Sequence, residues 1–138
     1  MKVFSNNIRL ATTEKDSETN ITDLVEAIVL ESSVKEGSVL INTGHTTAAI
    51  HLNYADRDLE EDYMELLTDL VPNKPTYRHN KGDYGRNADA HLKSIIVGNW
   101  VTLPVSKSRV SLGEWQAIYF SEFNGPRNRL ISVKVMGI

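Results

Sequence analysis

The sequence predicts an α+β protein with about three helices and a largely β C-terminal half. Two apolar stripes with helical periodicity, near residues 21–29 and 59–70, indicate helices, and three successive segments typical of strands follow residue 100. No linker, internal repeat or low-complexity stretch divides the chain. Its 138 residues suffice for a real core but not for two domains, so we expect one domain over residues 1–138.

Strands are expected in both halves of the chain. The N-terminal segment has short alternation, two later segments are continuously apolar, and the last C-terminal segment alternates cleanly between apolar and polar residues. The predicted strands cover residues 2–12, 38–42, 47–53, 100–105, 115–120 and 130–136. Gly37 is expected to end the turn before the second of them, and His45 to lie between the second and the third.

Helices are predicted between these strands. The first carries a stripe made of Ile21, Leu24, Val25, Ile28 and Val29. The second starts at Asp56 or Asp58, has one apolar and one acidic face, and ends before a polar loop over residues 72–86. A loop of that length is often functional. Asn87 is expected to cap a third, short helix that Gly98 closes. Its predicted apolar residues are Ala88, Leu92, Ile95 and Ile96.

Composition excludes several classes of function. Fifteen basic against eighteen acidic residues give a net charge of −3 without a basic block, so nucleic-acid binding has no electrostatic support. No apolar run is long enough to span a membrane, and the first residues lack the apolar segment of a secretory signal. The absence of cysteine leaves His, Asp and Glu as metal ligands. A cytoplasmic protein is expected.

Three of the four histidines lie in polar segments. His45, His79 and His91 are each surrounded by hydroxyls, amides, glycine or charges, where histidine can bind a metal or transfer a proton. Three histidines are enough for a mononuclear catalytic site, although their spacing contains no compact ligand pair. The alternative is that each one orders a loop through hydrogen bonds. His51 alternates with Ile50 and Leu52 and is expected to be structural.

We therefore predict that His45, His79 and His91 converge in one pocket. There they would act as catalytic residues, holding a divalent metal such as zinc or magnesium or transferring a proton. His91 would lie at the edge of the buried face of the third helix, in its first turn.

The remaining candidate residues are suited to anions. Thr46 and Thr47 follow a glycine after a strand, where backbone N–H groups and hydroxyls can hold an anion, although a simple hairpin turn has similar weight. Asn87 and Asp89, at the start of the third helix, are further candidates for contacting the ligand. Asp89 alternatively favours the positive end of the helix dipole.

Arg127 and Arg129 follow a Gly-Pro turn, and the period of two predicts that they share one strand face. Like charges at that spacing are more stable when an anion neutralises them. Glu122 could do so internally, whereas the phosphate of a ligand could do so functionally. We expect the ligand.

Four motifs, in their order and spacing, resemble the YjbQ family of small conserved proteins. They are His-Thr-Thr-Ala-Ala-Ile at 45–50, Asn-Ala-Asp-Ala-His-Leu at 87–92, Leu-Gly-Glu-Trp-Gln at 112–116 and Glu-Phe-Asn-Gly-Pro-Arg at 122–127. The resemblance extends from about Val3 to Gly137. It implies barrel-like sheets, a homotrimer with cavities near the subunit interfaces, and a weak, secondary thiamin phosphate synthase activity. That reaction joins a pyrimidine carbinol pyrophosphate to a thiazole phosphate and releases pyrophosphate.

The chain departs from the family pattern at two acidic positions. After Asn53 it lacks the glutamate that family members commonly have, and Asn124 stands where they commonly have aspartate. A neutral amide cannot act as a base and binds hard cations less well than a carboxylate. Two functions are expected: a low-rate transferase acting on phosphorylated heterocycles, which the resemblance implies, and a non-catalytic module that binds a phosphorylated metabolite or a metal. A purely structural or interaction protein is a third alternative, which the polar segments disfavour.

Overall fold

The computed structural model describes residues 1–138, which form three helices and eight strands. The helices are α1 (Thr22–Ser32), α2 (Arg57–Leu70) and α3 (Ala88–Val97). The strands are β1 (Lys2–Ala11), β2 (Ser17–Asn20), β3 (Glu36–Asn42), β4 (Ala48–Tyr54), β5 (Trp100–Ser106), β6 (Arg109–Val110), β7 (Gln116–Glu122) and β8 (Asn128–Gly137). None of the helices combines the length and the apolar character needed to cross a membrane.

All strand pairs are antiparallel and form two sheets. One sheet has the order β1-β8-β3-β5-β6 and the other has the order β2-β7-β4. The sheets curl into a half-barrel around a core of eighteen buried residues, mostly Ile and Val. A smaller cluster joins α2 and α3 to this framework through Ala49, Leu67, Ala90 and Phe123. The predicted α+β class with barrel-like sheets and three helices is confirmed.

Two short strands, β2 and β6, have no counterpart in the sequence prediction. The four residues of β2 are Ser-Glu-Thr-Asn, which contain no apolar side chain and therefore no periodicity. The strand forms because its backbone pairs with β7, from Ser17 opposite Glu122 to Asn20 opposite Tyr119. Because β2 lies at the edge of its sheet, pairing with β7 alone makes this segment a strand.

The sequence predicts that Gly37 ends a turn, but this residue lies within β3. It pairs with Gly137 of β8 in the antiparallel register. A Cβ atom at Gly37 would lie 2.0 Å from the carbonyl oxygen of Met136, so the two backbones approach too closely for any side chain. The glycine therefore permits sheet pairing at this point.

The orientation of α3 differs from the apolar face that its sequence predicts. Ile95 and Ile96 are 76% and 58% exposed, whereas Lys93 and Ser94 are buried. The buried side is polar because its groups find partners: the Ser94 hydroxyl donates to the Ala48 carbonyl at 2.7 Å, and Lys93 pairs with Asp89 at 3.4 Å. Lys93 and Ser94 thus share the buried side with Ala88 and Ala90, and the larger aliphatic side chains of Ile95 and Ile96 face outward.

Candidate functional site

A cavity of about 630 Å³ opens where the β3–β4 turn, the start of α3 and the β7–β8 loop meet. None of its eleven lining residues is hydrophobic. They are Gly44, His45, Thr46, Thr47, Asn87, His91, Asn124, Pro126, Arg127, Asn128 and Arg129. Three polar segments of the sequence, within residues 44–47, 87–91 and 124–129, therefore meet at one place, although they are far apart along the chain.

The β3–β4 turn fixes the position of His45. Thr43 anchors the turn, since its hydroxyl donates to the Leu130 carbonyl at 3.0 Å and accepts the His45 N–H at 3.3 Å. The imidazole Nε2 of His45 in turn accepts the backbone N–H of Leu130 at 3.1 Å. The turn and the ring of His45 are thereby both attached to β8 at Leu130.

The surroundings of His45 favour its neutral form. Partial burial lowers the pKa of the imidazole, and the positive charges of Arg129 and Arg127 lower it further. The carboxylate of Glu122 acts in the opposite direction but does not outweigh them. The net pKa lies below the usual value of 6.5.

Arg129 is buried and forms an ion pair with fully buried Glu122. Its Nε donates to Glu122 Oε1 at 2.8 Å, and its Nη2 donates to Glu122 Oε2 and to the Thr47 hydroxyl at 2.8 Å. Glu122 also accepts the Thr12 hydroxyl at 2.7 Å and the Asn124 N–H at 3.0 Å. Burial raises the pKa of Glu122, but these hydrogen bonds and the Arg129 charge lower it by more, to below its usual value. The pair therefore connects β8, β7 and the β3–β4 turn behind the cavity.

Arg127 is exposed and lies one residue before β8 begins at Asn128. Its Nε donates to the Asn124 carbonyl at 3.0 Å. The predicted sharing of one strand face with Arg129 is therefore not observed, because only Arg129 belongs to the strand. Glu122, which the sequence offered as an internal partner for the arginines, pairs with Arg129 and not with Arg127. Arg127 is the guanidinium left available to a ligand in the cavity.

At the start of α3, Asn87 and His91 line the cavity and His79 lies next to them. His79 Nε2 is 2.9 Å from Asn87 Oδ1, and the rings of His79 and His91 contact edge to face with centroids 4.9 Å apart. The Asn87 side chain does not cap the helix as predicted, and Asn80 Oδ1 accepts the Ala88 N–H instead. The expected convergence thus brings His45 and His91 to the cavity, with His79 directly behind His91.

Asp89 lies beneath the site and does not line the cavity. It is 2% exposed, and its Oδ2 accepts from Lys15 at 3.1 Å and from Lys93 at 3.4 Å. Its other oxygen, Oδ1, is buried without a hydrogen-bond partner. The geometry gives Asp89 an internal charge-pairing position and places it away from a ligand in the cavity.

A metal at His45, His79 and His91 stays a prediction. Nε2 of His45 accepts the Leu130 N–H, and Nε2 of His79 is bonded to the Asn87 side chain, so neither atom is free to bind a metal in this arrangement. No group of three or more His, Asp or Glu side chains is positioned to hold an ion.

His51, which the sequence separated from the other histidines, lies on the second sheet. Its Nε2 is 2.8 Å from Glu18 Oε2, and its ring contacts those of Tyr63 and Tyr119. These contacts hold β4 against β2 and α2, as expected of a structural residue.

Asn124 and Asn128 line the cavity, but sequence reasoning did not select them as ligand contacts. Both flank the Gly-Pro turn in a segment otherwise noted for its arginines. The dense polar composition of residues 122–129 was the signal that could have identified them.

The chain is similar to known proteins over nearly its whole length. The family pattern described as UPF0047 protein YjbQ-like matches residues 6–138. The UPF0047 protein of Archaeoglobus fulgidus is 43% identical over 129 residues, covering 94% of this chain and 98% of that protein. The UPF0047 protein YugU of Bacillus subtilis is 39% identical over 132 residues, covering 94% and 97% respectively.

The fold is also shared with solved structures. A YbjQ-like protein of unknown function from Sulfolobus solfataricus superposes with a TM-score of 0.95 at 36% identity, covering 99% of both chains. A hypothetical protein from Aeropyrum pernix gives a TM-score of 0.93 at 32% identity, covering 98% of this chain and 99% of that one. Because sequence and fold match over almost the entire length, the chain belongs to the YjbQ (UPF0047) family.

Proposed function

We propose that the cavity binds a small phosphorylated metabolite through its phosphate group. The observation that carries this proposal is the lining itself, which is polar or charged apart from Gly44 and Pro126 and includes the exposed guanidinium of Arg127. Guanidinium groups match phosphate oxygens with a fork of N–H donors. Since Arg127 uses its Nε on the Asn124 carbonyl, its terminal nitrogens face no competing carboxylate partner.

The β3–β4 turn adds further donors to the same cavity. The backbone N–H groups of Gly44, Thr46 and Thr47 make no hydrogen bond within the chain, and all three residues line the cavity. Successive unpaired N–H groups at a turn form a concave site for anions. The Thr47 hydroxyl accepts from Arg129 and is left to donate its own proton. These groups support an oxyanion bound between the turn and Arg127.

A nuclear magnetic resonance titration with inorganic phosphate tests this function. We expect saturable shifts of the backbone amide signals of Gly44, Thr46 and Thr47 and of the guanidinium N–H signals of Arg127, because these groups would contact the anion. Signals from β6 (Arg109–Val110), at the far edge of the larger sheet, serve as the internal control. Shifts that do not saturate, or that spread over exposed lysines, would contradict the proposal.

A weak thiamin phosphate synthase-type transfer is a second candidate, and the position of His91 favours it. The imidazole nitrogens of His91 make no hydrogen bond within the chain, and the residue lines three adjoining cavities of about 630, 350 and 410 Å³. A histidine that is free at such a junction can transfer a proton between two bound reactants.

An assay with both thiamin precursors, comparing the wild type with His91→Asn, tests this activity. Equal rates of thiamin phosphate formation by the wild type and the variant would show that His91 takes no part in the reaction.

We also propose that the chain acts as a homotrimer in the cytoplasm. The large apolar side chains of Ile95, Ile96 and Trp100 are exposed, and Ile95 lines the third of these cavities, as expected of residues that a partner subunit covers. Light scattering at micromolar concentration is expected to return about three times the chain mass of 15.5 kDa. A mass equal to that of one chain would contradict the trimer.

A further inference from the structure

The hydrogen bond between Leu130 and His45 determines which nitrogen of the ring carries a proton. A backbone N–H can only donate, so Nε2 of His45, 3.1 Å away, must be the acceptor and must be unprotonated. In a neutral ring the proton is then on Nδ1. No group within the chain bonds to Nδ1, which leaves its N–H for a ligand in the cavity.

Protonation of His45 at Nε2 would break this bond and leave the N–H of Leu130 without an acceptor. The charged groups around the ring act in the same direction, since Arg127 and Arg129 repel an added positive charge and Glu122 only partly offsets them. His91, from α3, is the other titratable side chain in the lining. His45 is therefore a neutral hydrogen-bond donor and not an imidazolium.

The cavity also lacks a strong hydrogen-bond acceptor. None of its eleven lining residues is Asp or Glu. Glu122 lies nearby, but both of its oxygens are occupied by Arg129, Thr12 and the Asn124 N–H. The remaining acceptors are hydroxyl and amide oxygens and an unprotonated nitrogen of His91, all of them uncharged and therefore weaker acceptors than a carboxylate for the proton of a protonated phosphate.

We propose that the cavity selects the dianionic form of a tetrahedral oxyanion, with neutral His45 donating to it from Nδ1. Sulfate and the dianion of a phosphate monoester present only acceptors to the donors of Arg127, His45 and the β3–β4 turn, and in the inorganic hydrogen phosphate dianion the single O–H group takes the place of the ester group. The monoanion of a phosphate monoester, like dihydrogen phosphate, presents one more O–H group, which would be buried without a matching carboxylate and is therefore unfavourable. This selection rests on the proposed binding of a phosphorylated metabolite and specifies the ionisation state that is bound.

The tautomer can be measured without any anion. In a ¹⁵N spectrum of the imidazole rings, we expect His45 to carry its proton on Nδ1 at neutral pH. His51 is the matched internal reference, because its Nε2 faces the Glu18 carboxylate and must carry a proton. A proton on Nε2 of His45, or a doubly protonated ring at neutral pH, would overturn the assignment.

Selection is tested by calorimetric titration with inorganic phosphate and inorganic sulfate at several pH values and constant ionic strength. Sulfate stays fully ionised throughout, so any effect of His91 protonation cancels in the ratio of the two association constants. We expect the phosphate-to-sulfate ratio to fall by about tenfold for each pH unit below the second pKa of phosphate, in step with its dianion fraction. A ratio that does not change with pH would overturn the selection.

Asn124→Asp provides the matched variant, because it places a carboxylate in the cavity without changing the size of the side chain. This variant should bind sulfate at least tenfold more weakly and should flatten the pH dependence of the ratio, since the carboxylate can accept the phosphate proton. An unchanged sulfate affinity would contradict the proposal. Failure of both anions to bind the wild type would overturn the proposed function and the selection together, whereas binding of both with a constant ratio would overturn only the selection.

Discussion

Replacing Glu122 with glutamine is expected to lower the free energy of unfolding by about 3–5 kcal/mol. Glu122 is fully buried and its carboxylate accepts from Arg129, which is itself only 4% exposed. A neutral amide of the same size would leave the Arg129 charge without its partner in a buried position. Urea denaturation of both proteins measures the difference, and the slope of the transition should stay unchanged.

The control for this substitution is Glu61→Gln. Glu61 is 72% exposed and lies 3.9 Å from Arg57 on the surface of α2, so its replacement should change stability by less than about 1 kcal/mol. Equal effects of the two substitutions would show that the buried pair contributes no more than a surface charge.

The effect of Glu122→Gln should depend on pH in a defined direction. Because the folded-state pKa of Glu122 is below the usual value of 4.5, its stabilisation is fully present above that value and is lost as the pH falls through the lower, folded-state pKa. The stability difference between wild type and variant should therefore be greatest near neutral pH and shrink in acid. A difference that stays constant into acid would mean that the pKa of Glu122 is the same in the folded and unfolded states.

The periodicity of apolar residues was sufficient to predict the long helices. It was insufficient where contacts with distant parts of the chain determine the local structure. The stripe in α1 and the amphipathic pattern of α2 predicted both helices, and Asp56 caps α2 through the Leu59 N–H at 3.1 Å. β2 was missed because its four polar residues form a strand only through pairing with β7. In α3 the predicted Ala88 is buried but Ile95 and Ile96 are exposed, because Ser94 bonds the distant Ala48 carbonyl and Lys93 pairs with Asp89 one turn earlier in the helix.

At the candidate site too, the sequence predicted which residues take part but not the contacts between distant segments. Composition alone brought attention to His45, His91 and Arg127, which the structure places around one cavity. Sequence could not assign Glu122 to Arg129 rather than to Arg127, because that choice depends on where β8 begins. Nor could it indicate that His45 accepts a backbone N–H, since the contact joins residues 85 positions apart.

Replacing Arg127 with lysine is expected to weaken phosphate binding by about 1–3 kcal/mol, the scale of a charge-assisted hydrogen bond, without destabilising the fold. Lysine keeps the positive charge but lacks the forked guanidinium. In the wild type, the Nε of this group donates to the Asn124 carbonyl, and its two terminal nitrogens are available to the anion. Stability should be unchanged because Arg127 is exposed and Glu122 pairs with Arg129. Calorimetry with inorganic phosphate and the melting temperature of the same variant measure the two quantities.

Arg109→Lys is the matched control for Arg127→Lys, because it makes the same substitution at an exposed arginine outside the cavity. Arg109 lies in β6 and pairs with Glu26 at 3.3 Å, so its replacement tests whether any surface guanidinium contributes to phosphate binding. We expect phosphate affinity to be unchanged in Arg109→Lys and reduced only in Arg127→Lys. A lower melting temperature with normal phosphate affinity in Arg127→Lys would instead assign Arg127 to the architecture of the β7–β8 loop, since a ligand-binding residue must change affinity when its donor geometry is removed.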